Sequence, residues 1–154
     1  MSQRLDPRKA SPGAIKPMLD MEAYIAKCGL DYELVHLVKM RASQINGCAY
    51  CLDMHSKDAR AHGETEQRLY TLDAWRETPF FSARERAALA WTEALTLLPQ
   101  THAPDDVYSE ASSQFSEKEL VDLTLLIVAI NGWNRIAVGF RAPPGSYQPR
   151  KVER

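Results

Sequence analysis

Cysteine is scarce in this 154-residue chain: Cys28, Cys48 and Cys51 are all it has. Three thiols are too few, and odd in number, for a disulfide scaffold, so the fold must rest on its core. One-sided charge is missing as well. The 19 basic and 20 acidic residues leave a formal net charge of −1. Without a basic excess there is no electrostatic footprint for nucleic acid. No apolar run approaches the ~20 residues that cross a bilayer, so no membrane partner is expected. The opening MSQRLDPRKASPG lacks the apolar stretch of a secretory signal, and the expected compartment is the reducing cytoplasm. No segment alternates apolar and polar residues between hairpin turns, so no sheet is expected. There is no internal repeat and no low-complexity tract.

What remains is an ordinary globular composition, 45% hydrophobic and 25% charged, at a length that suits one domain. Helical signals fill the chain from Met18 to Arg141. Met18, Leu19, Met21, Ile25 and Cys28 share a helical stripe that Gly29 ends. Asp31 suits an N-cap for the stripe Leu34, Val35, Val38, Ala42, Ile45, which Asn46-Gly47 breaks. A third helix starts near Cys48 and ends at Gly63, and Thr65 caps a short fourth through Ala74. Ser82 to Glu85 and Ser116 to Glu119 are capping boxes. The first opens a helix to Leu98, stopped by Pro99. The second opens a helix to about Phe140 whose apolar Leu120–Ile130 stretch marks it as central. Between them Pro104, Asp105 and Asp106 open a sixth. The expected fold is therefore an all-α, compact bundle of about seven helices over residues 18–141. It lies between an N-terminal arm, 1–17, and a basic Pro-containing tail, 142–154. Both arms are expected to be disordered or to pack on a neighbouring subunit.

The chemistry concentrates in Asn46-Gly47-Cys48-Ala49-Tyr50-Cys51-Leu52-Asp53-Met54-His55. Thiols at i and i+3 at a helix start share a face. The unpaired N–H groups and positive dipole end there favour thiolate. His55, four residues after Cys51, shares that face and holds or takes a proton near neutral pH. One face thus offers a nucleophile, a resolving thiol and an acid/base, the minimum for two-thiol peroxide reduction or disulfide exchange. Other readings stay open. The CxxC pair suits two small buried residues, or half a zinc site that Cys28 and His62 would have to complete. A thioredoxin-type reading is weaker, because that motif follows a strand.

The run from Arg41 to His55 resembles the core of the alkylhydroperoxidase D family, within the carboxymuconolactone decarboxylase-like superfamily. Arg84-Glu85-Arg86-Ala-Ala-Leu-Ala-Trp91-Thr92-Glu93-Ala94 and Asn131-Gly132-Trp133-Asn134-Arg135 resemble its single-domain members too. The resemblance covers about residues 15–141. It implies an all-helical, cofactor-free homo-oligomer, a trimer or hexamer, and no metal ligands are expected. It implies reduction of a small hydroperoxide with electrons from a dithiol donor. It gives Cys51 as the attacking thiol, Cys48 as the resolving one and His55 as the relay. The family's usual glutamate twelve residues before the first Cys is His36 here, a second relay candidate. Its frequent histidine between the cysteines is Tyr50. Glu33, one turn before His36, has the wrong offset to replace the acid. Two rival functions are a lactone decarboxylase of the same superfamily, which needs no CxxC, and a non-enzymatic redox-sensing module.

The remaining residues read as structural. Trp75, Trp91 and Trp133 suit core or interface. Cys28 suits an inert buried thiol, His62 a helix C-terminus, His102 a solvated loop. Asn131 and Asn134 are expected to tie helices together or to line an interface.

Overall fold

A computed structural model describes residues 2–149, and among these there is no strand. Nine α-helices and one 3₁₀ segment follow in chain order. They are α1 Pro7–Ala10, α2 Pro12–Ile25, α3 Tyr32–Ile45, α4 Ala49–Ala61 and α5 Glu66–Thr71, continued by the 3₁₀ segment Leu72–Glu77. Then come α6 Ala83–Thr96, α7 Leu98–Thr101, α8 Asp105–Gln114 and α9 Glu117–Phe140. The seven expected helices are all there. The two additions, α1 and α7, are single turns of four residues.

Local chemistry explains the boundaries. Both capping boxes form: Ser82 and Ser116 Oγ accept from the N–H of Glu85 and Glu119, and the serine N–H groups donate to the glutamate carboxylates in return. Thr65 caps α5 through Arg68 N–H. Asp31 stands at the N-cap of α3 but makes no side-chain cap bond. Gly47, at φ +63°, turns the chain from α3 into α4. Some boundaries differ from expectation: α5 gives way to the 3₁₀ segment after Thr71 rather than running through Ala74, α6 ends at Thr96 rather than Leu98, and Pro99 lies inside α7. Helix α2 starts at Pro12 rather than Met18 and runs through Pro17. Proline forfeits one N–H bond in a helix and crowds the residue four before it. Here that residue is Gly13, with open space around its α-carbon.

Helix α9 lies at the centre. Leu120, Leu123, Leu126 and Ile127 are buried among Leu34 and Val38 of α3, Ala87, Ala88 and Trp91 of α6, and Ala111 and Phe115, and Ile130 is buried as well. A second cluster joins Leu37 and Met40 of α3 to Leu69, Leu72, Trp75, Phe81 and Leu89. By length and composition α9 suffices to cross a bilayer, but its apolar face is the one the other helices cover. Its outer face leaves Val121 and Val128 exposed.

Polar ties lock α3 against its neighbours. Glu93 of α6 takes Arg41 Nε and Trp75 Nε1, both at 2.8 Å, and pairs with Arg76. Asn46 Nδ2 reaches the side-chain oxygens of Asn131 at 3.0 Å and Asn134 at 2.9 Å. Asn134 Nδ2 donates to Ser43 Oγ, and Asn131 Nδ2 to Thr96 Oγ1, each at 3.0 Å. These amides do tie helices together, and they fix the turn that delivers Cys48.

The described terminal segments fold back on the bundle. Arg4 N–H bonds Phe140 O at 3.0 Å. Gly145 N–H donates to Asp53 at 2.9 Å and Tyr147 Oη to Asp58 Oδ1 at 2.6 Å. Over 142–149 the tail thus packs on its own α4, because α4 presents Asp53, Lys57 and Asp58 to it. Arg150, Lys151 and Arg154 of the expected tail lie outside the described residues.

Candidate active site

Cys48 is the N-cap of α4. Its Sγ accepts Cys51 N–H at 3.3 Å, so the helix start itself provides a donor to sulfur. Cys48 and Cys51 are joined as a disulfide with their Cα atoms 5.4 Å apart. Both are almost fully buried. They differ in what they face. Cys51 lines a cavity of about 460 Å³, and Cys48 does not. Tyr50, Met54, His55 and Asp58 of α4 share the wall with Cys51. Leu19 and Glu22 of α2, Lys39 of α3, and Trp133, Ile136 and Phe140 of α9 complete it. Residues from both terminal segments, among them Arg8 and Pro143, border it.

Behind His55 stands His36, their ring centroids 5.8 Å apart. Each is 6% exposed. His36 does not line the cavity. Its ring packs at a tilt against Tyr32, centroids 4.3 Å apart, and Tyr32 in turn covers His62. Burial pushes the His36 pKa down to about 3, with the neighbouring His55 acting in the same direction. Burial also lowers His55, against the pull of Asp58. Both imidazoles are therefore neutral at pH 7, and His55 is a base rather than a resident cation. Burial works to raise Asp58, but its contacts with His55 and the Tyr147 hydroxyl outweigh that and hold it below the usual carboxylate range. His55 Nδ1 is 3.8 Å from Asp58 Oδ2, beyond hydrogen-bond distance but close enough for the carboxylate to stabilise a protonated ring. The Nδ1 atoms of His36 and His55 are both buried without a hydrogen-bond partner.

Cys48, Cys51 and His55 stand together on the first turns of α4, and His36 approaches His55 from α3. The fold does not bring Cys28 there. That thiol is half-buried rather than buried and donates to Ile25 O at 3.2 Å. Glu33 is exposed, outside the cavity. His62 ends α4, as expected, and His102 is exposed. Trp75 and Trp91 are buried, whereas Trp133 is cavity wall and donates to Glu22 Oε1 at 3.1 Å. Among the described residues the one group of three ligating side chains is His36, His55 and Asp58, so a zinc site on the cysteines with Cys28 and His62 is not assembled.

Sequence reasoning missed Asp58, Lys39, Glu22 and Tyr147. Asp58 was within reach: it is seven residues after Cys51 and three after His55, on the same helical face. Lys39 follows His36 by three and pairs with Glu22 at 2.6 Å inside the wall. Nothing local in the sequence marks that pair or Tyr147.

Residues 12–94 match the carboxymuconolactone decarboxylase family. The uncharacterized protein YdfG of Bacillus subtilis is 46% identical over 138 residues, covering 90% of this chain and 94% of YdfG. A crystal structure of an Agrobacterium tumefaciens protein of unknown function, provisionally called the antioxidant defence protein AhpD, is 44% identical. It superposes with a TM-score of 0.91 over 95% of this chain and all of that one. An uncharacterized peroxidase-related protein from Silicibacter sp. TM1040 shares the fold at 20% identity and a TM-score of 0.75, over 86% of this chain and 70% of that one.

Proposed function

The chain belongs to the carboxymuconolactone decarboxylase family, as an AhpD-like member, and from that premise we propose that it is a thiol-dependent peroxidase. The observation that carries the reading is the asymmetry of the CxxC pair: Cys51 faces the cavity and a neutral buried histidine, while Cys48 sits on the helix cap.

His55 takes the Cys51 thiol proton, and Asp58 stabilises the imidazolium that results. His36, at the far side of His55, extends the relay away from the cavity. The Cys51 thiolate attacks the terminal oxygen of a hydroperoxide, ROOH. The O–O bond breaks, the alkoxide takes the proton from His55, and the products are ROH and a Cys51 sulfenic acid. The Cys48 thiol then displaces hydroxide, which leaves as water, and the disulfide forms. An external dithiol attacks Cys51 Sγ from the cavity side. Cys48 departs as a thiolate held by Cys51 N–H, and the dithiol leaves oxidised as its own disulfide. No bound cofactor enters any step. The apolar wall of Leu19, Met54, Trp133 and Phe140 favours an organic hydroperoxide.

Two further parts belong to the same reading. A homo-oligomer, trimer or hexamer, is supported by the exposed Val121 and Val128 on the outer face of α9. The cytoplasm is supported by the need for a reducing donor. Turnover of an organic hydroperoxide with a small dithiol as reductant tests the function. Activity that disappears in Cys51→Ser supports it, and activity indifferent to both cysteines refutes it.

A further inference from the structure

The unpaired nitrogens of the relay have a consequence outside peroxide chemistry. His55 and Asp58 lie one turn apart on α4, and His36 approaches from α3. One ligand atom from each lies within 4.8 Å of the other two. Asp58 is already oriented by the Tyr147 hydroxyl on Oδ1, which leaves Oδ2 toward the histidines. Closing the 3.8 Å gap between Asp58 and His55 would satisfy only one buried Nδ1, because that of His36 would remain without a partner. A buried polar atom left unpaired is costly, so a cluster with two of them invites a third party.

We propose that His36, His55 and Asp58 form a binding site for one divalent transition cation of the zinc type. Two imidazoles and one carboxylate suit such an ion and not calcium or magnesium, which prefer oxygen ligands throughout. Ligand atoms around a tetrahedral zinc sit about 3.4 Å apart, so the three side chains contract by roughly an ångström around the ion. Small side-chain rotations achieve that. Tyr147 supplies the outer hydrogen bond that metal-binding carboxylates usually have. The nearby cation, Lys39, does not oppose the ion strongly, because Glu22 pairs with it at 2.6 Å. The fourth position is open to water from the cavity that His55 and Asp58 line. A bound ion draws His55 and Asp58 out of the proton relay, so it switches the thiol centre off. That consequence rests on the peroxidase reading; the site itself does not.

Zn²⁺ is the probe, used on the disulfide form of the whole chain, where Cys48 and Cys51 cannot compete for it and Cys28, remote from the site, is the remaining thiol. Equilibrium dialysis is run on the wild type, His36→Asn and Asp58→Asn, with folding checked by circular dichroism. The expected result is about one equivalent bound per chain, with affinity at least about tenfold weaker in each variant. No binding by the wild type, or binding unchanged in either variant, overturns the proposal. Should a variant fail to fold, Co²⁺ added to the wild type decides. An intense visible band of a four-coordinate nitrogen–oxygen site supports the proposal, and the weak spectrum of the hydrated ion overturns it. A chain that binds Zn²⁺ as expected but whose metal-free, reduced form ignores hydroperoxide would sink the peroxidase reading and leave this site standing.

Discussion

Burial decides what His36 and His55 are. Both sit on helix faces that point into the bundle, and both lose the water that would stabilise a positive charge. A histidine whose folded pKa lies below its unfolded value of 6.5 makes folding less favourable once the unfolded chain takes up the proton. The stability of the protein is therefore expected to be flat above that value. It should fall by about 1.4 kcal/mol per pH unit for each such histidine as pH drops below it, for His36 down to about pH 3. Thermal melts from pH 7.5 to 4.5 measure this, and His36→Asn should flatten the slope. At the same scale, His55→Asn is expected to slow thiol oxidation by peroxide by roughly 10²-fold without changing the fold. Stopped-flow tryptophan fluorescence follows that rate, since Trp133 shares the cavity wall. Cys48, Cys51 and His55 were legible in the sequence because helical arithmetic places them on one face. His36 came from the family pattern rather than from spacing. Glu22 and Lys39 were not legible, because their pairing depends on how α2 packs against α3.

At the scale of elements, the N-terminus of α4 is a positioned feature. Cys48 N–H bonds Ser43 O at 3.0 Å, and Ser43 Oγ takes Asn134 Nδ2. The chain that delivers the thiol is thus fastened to α9 by amides 1% to 9% exposed. Asn134→Ala leaves Ser43 and Asn46 with a lost partner each and is expected to cost about 1–3 kcal/mol, read by urea titration. Ser116→Ala removes a formed capping box and should cost about 1 kcal/mol by the same measurement. Those boxes, the Asn-Gly break and the apolar stripe of α9 made the helices readable. The start of α2 was not, because Pro17 looks like a breaker until Gly13 is seen four residues before it. The short α7 has no apolar periodicity to reveal it, being one turn around Pro99.

At the scale of the whole molecule, the all-helical bundle followed from the sequence, but the cavity did not. It is enclosed by α2, α4 and α9 and bordered by both terminal segments, whose prolines read as arms. Tyr147 closes one side onto Asp58. Such long-range closure has no periodic signature. Size-exclusion chromatography with light scattering is expected to show an assembly larger than a monomer. A monomer at micromolar concentration would contradict the oligomer.

The most direct test of the central claim is the intact mass of the reduced, desalted protein after one equivalent of an organic hydroperoxide. The account predicts a fast loss of about two mass units in the wild type, as the Cys48–Cys51 disulfide forms, and no fast reaction in Cys51→Ser. Cys48→Ser should instead gain about sixteen mass units, as a sulfenic acid with no partner. No mass change, or slow change at the rate of a free thiol, would contradict it.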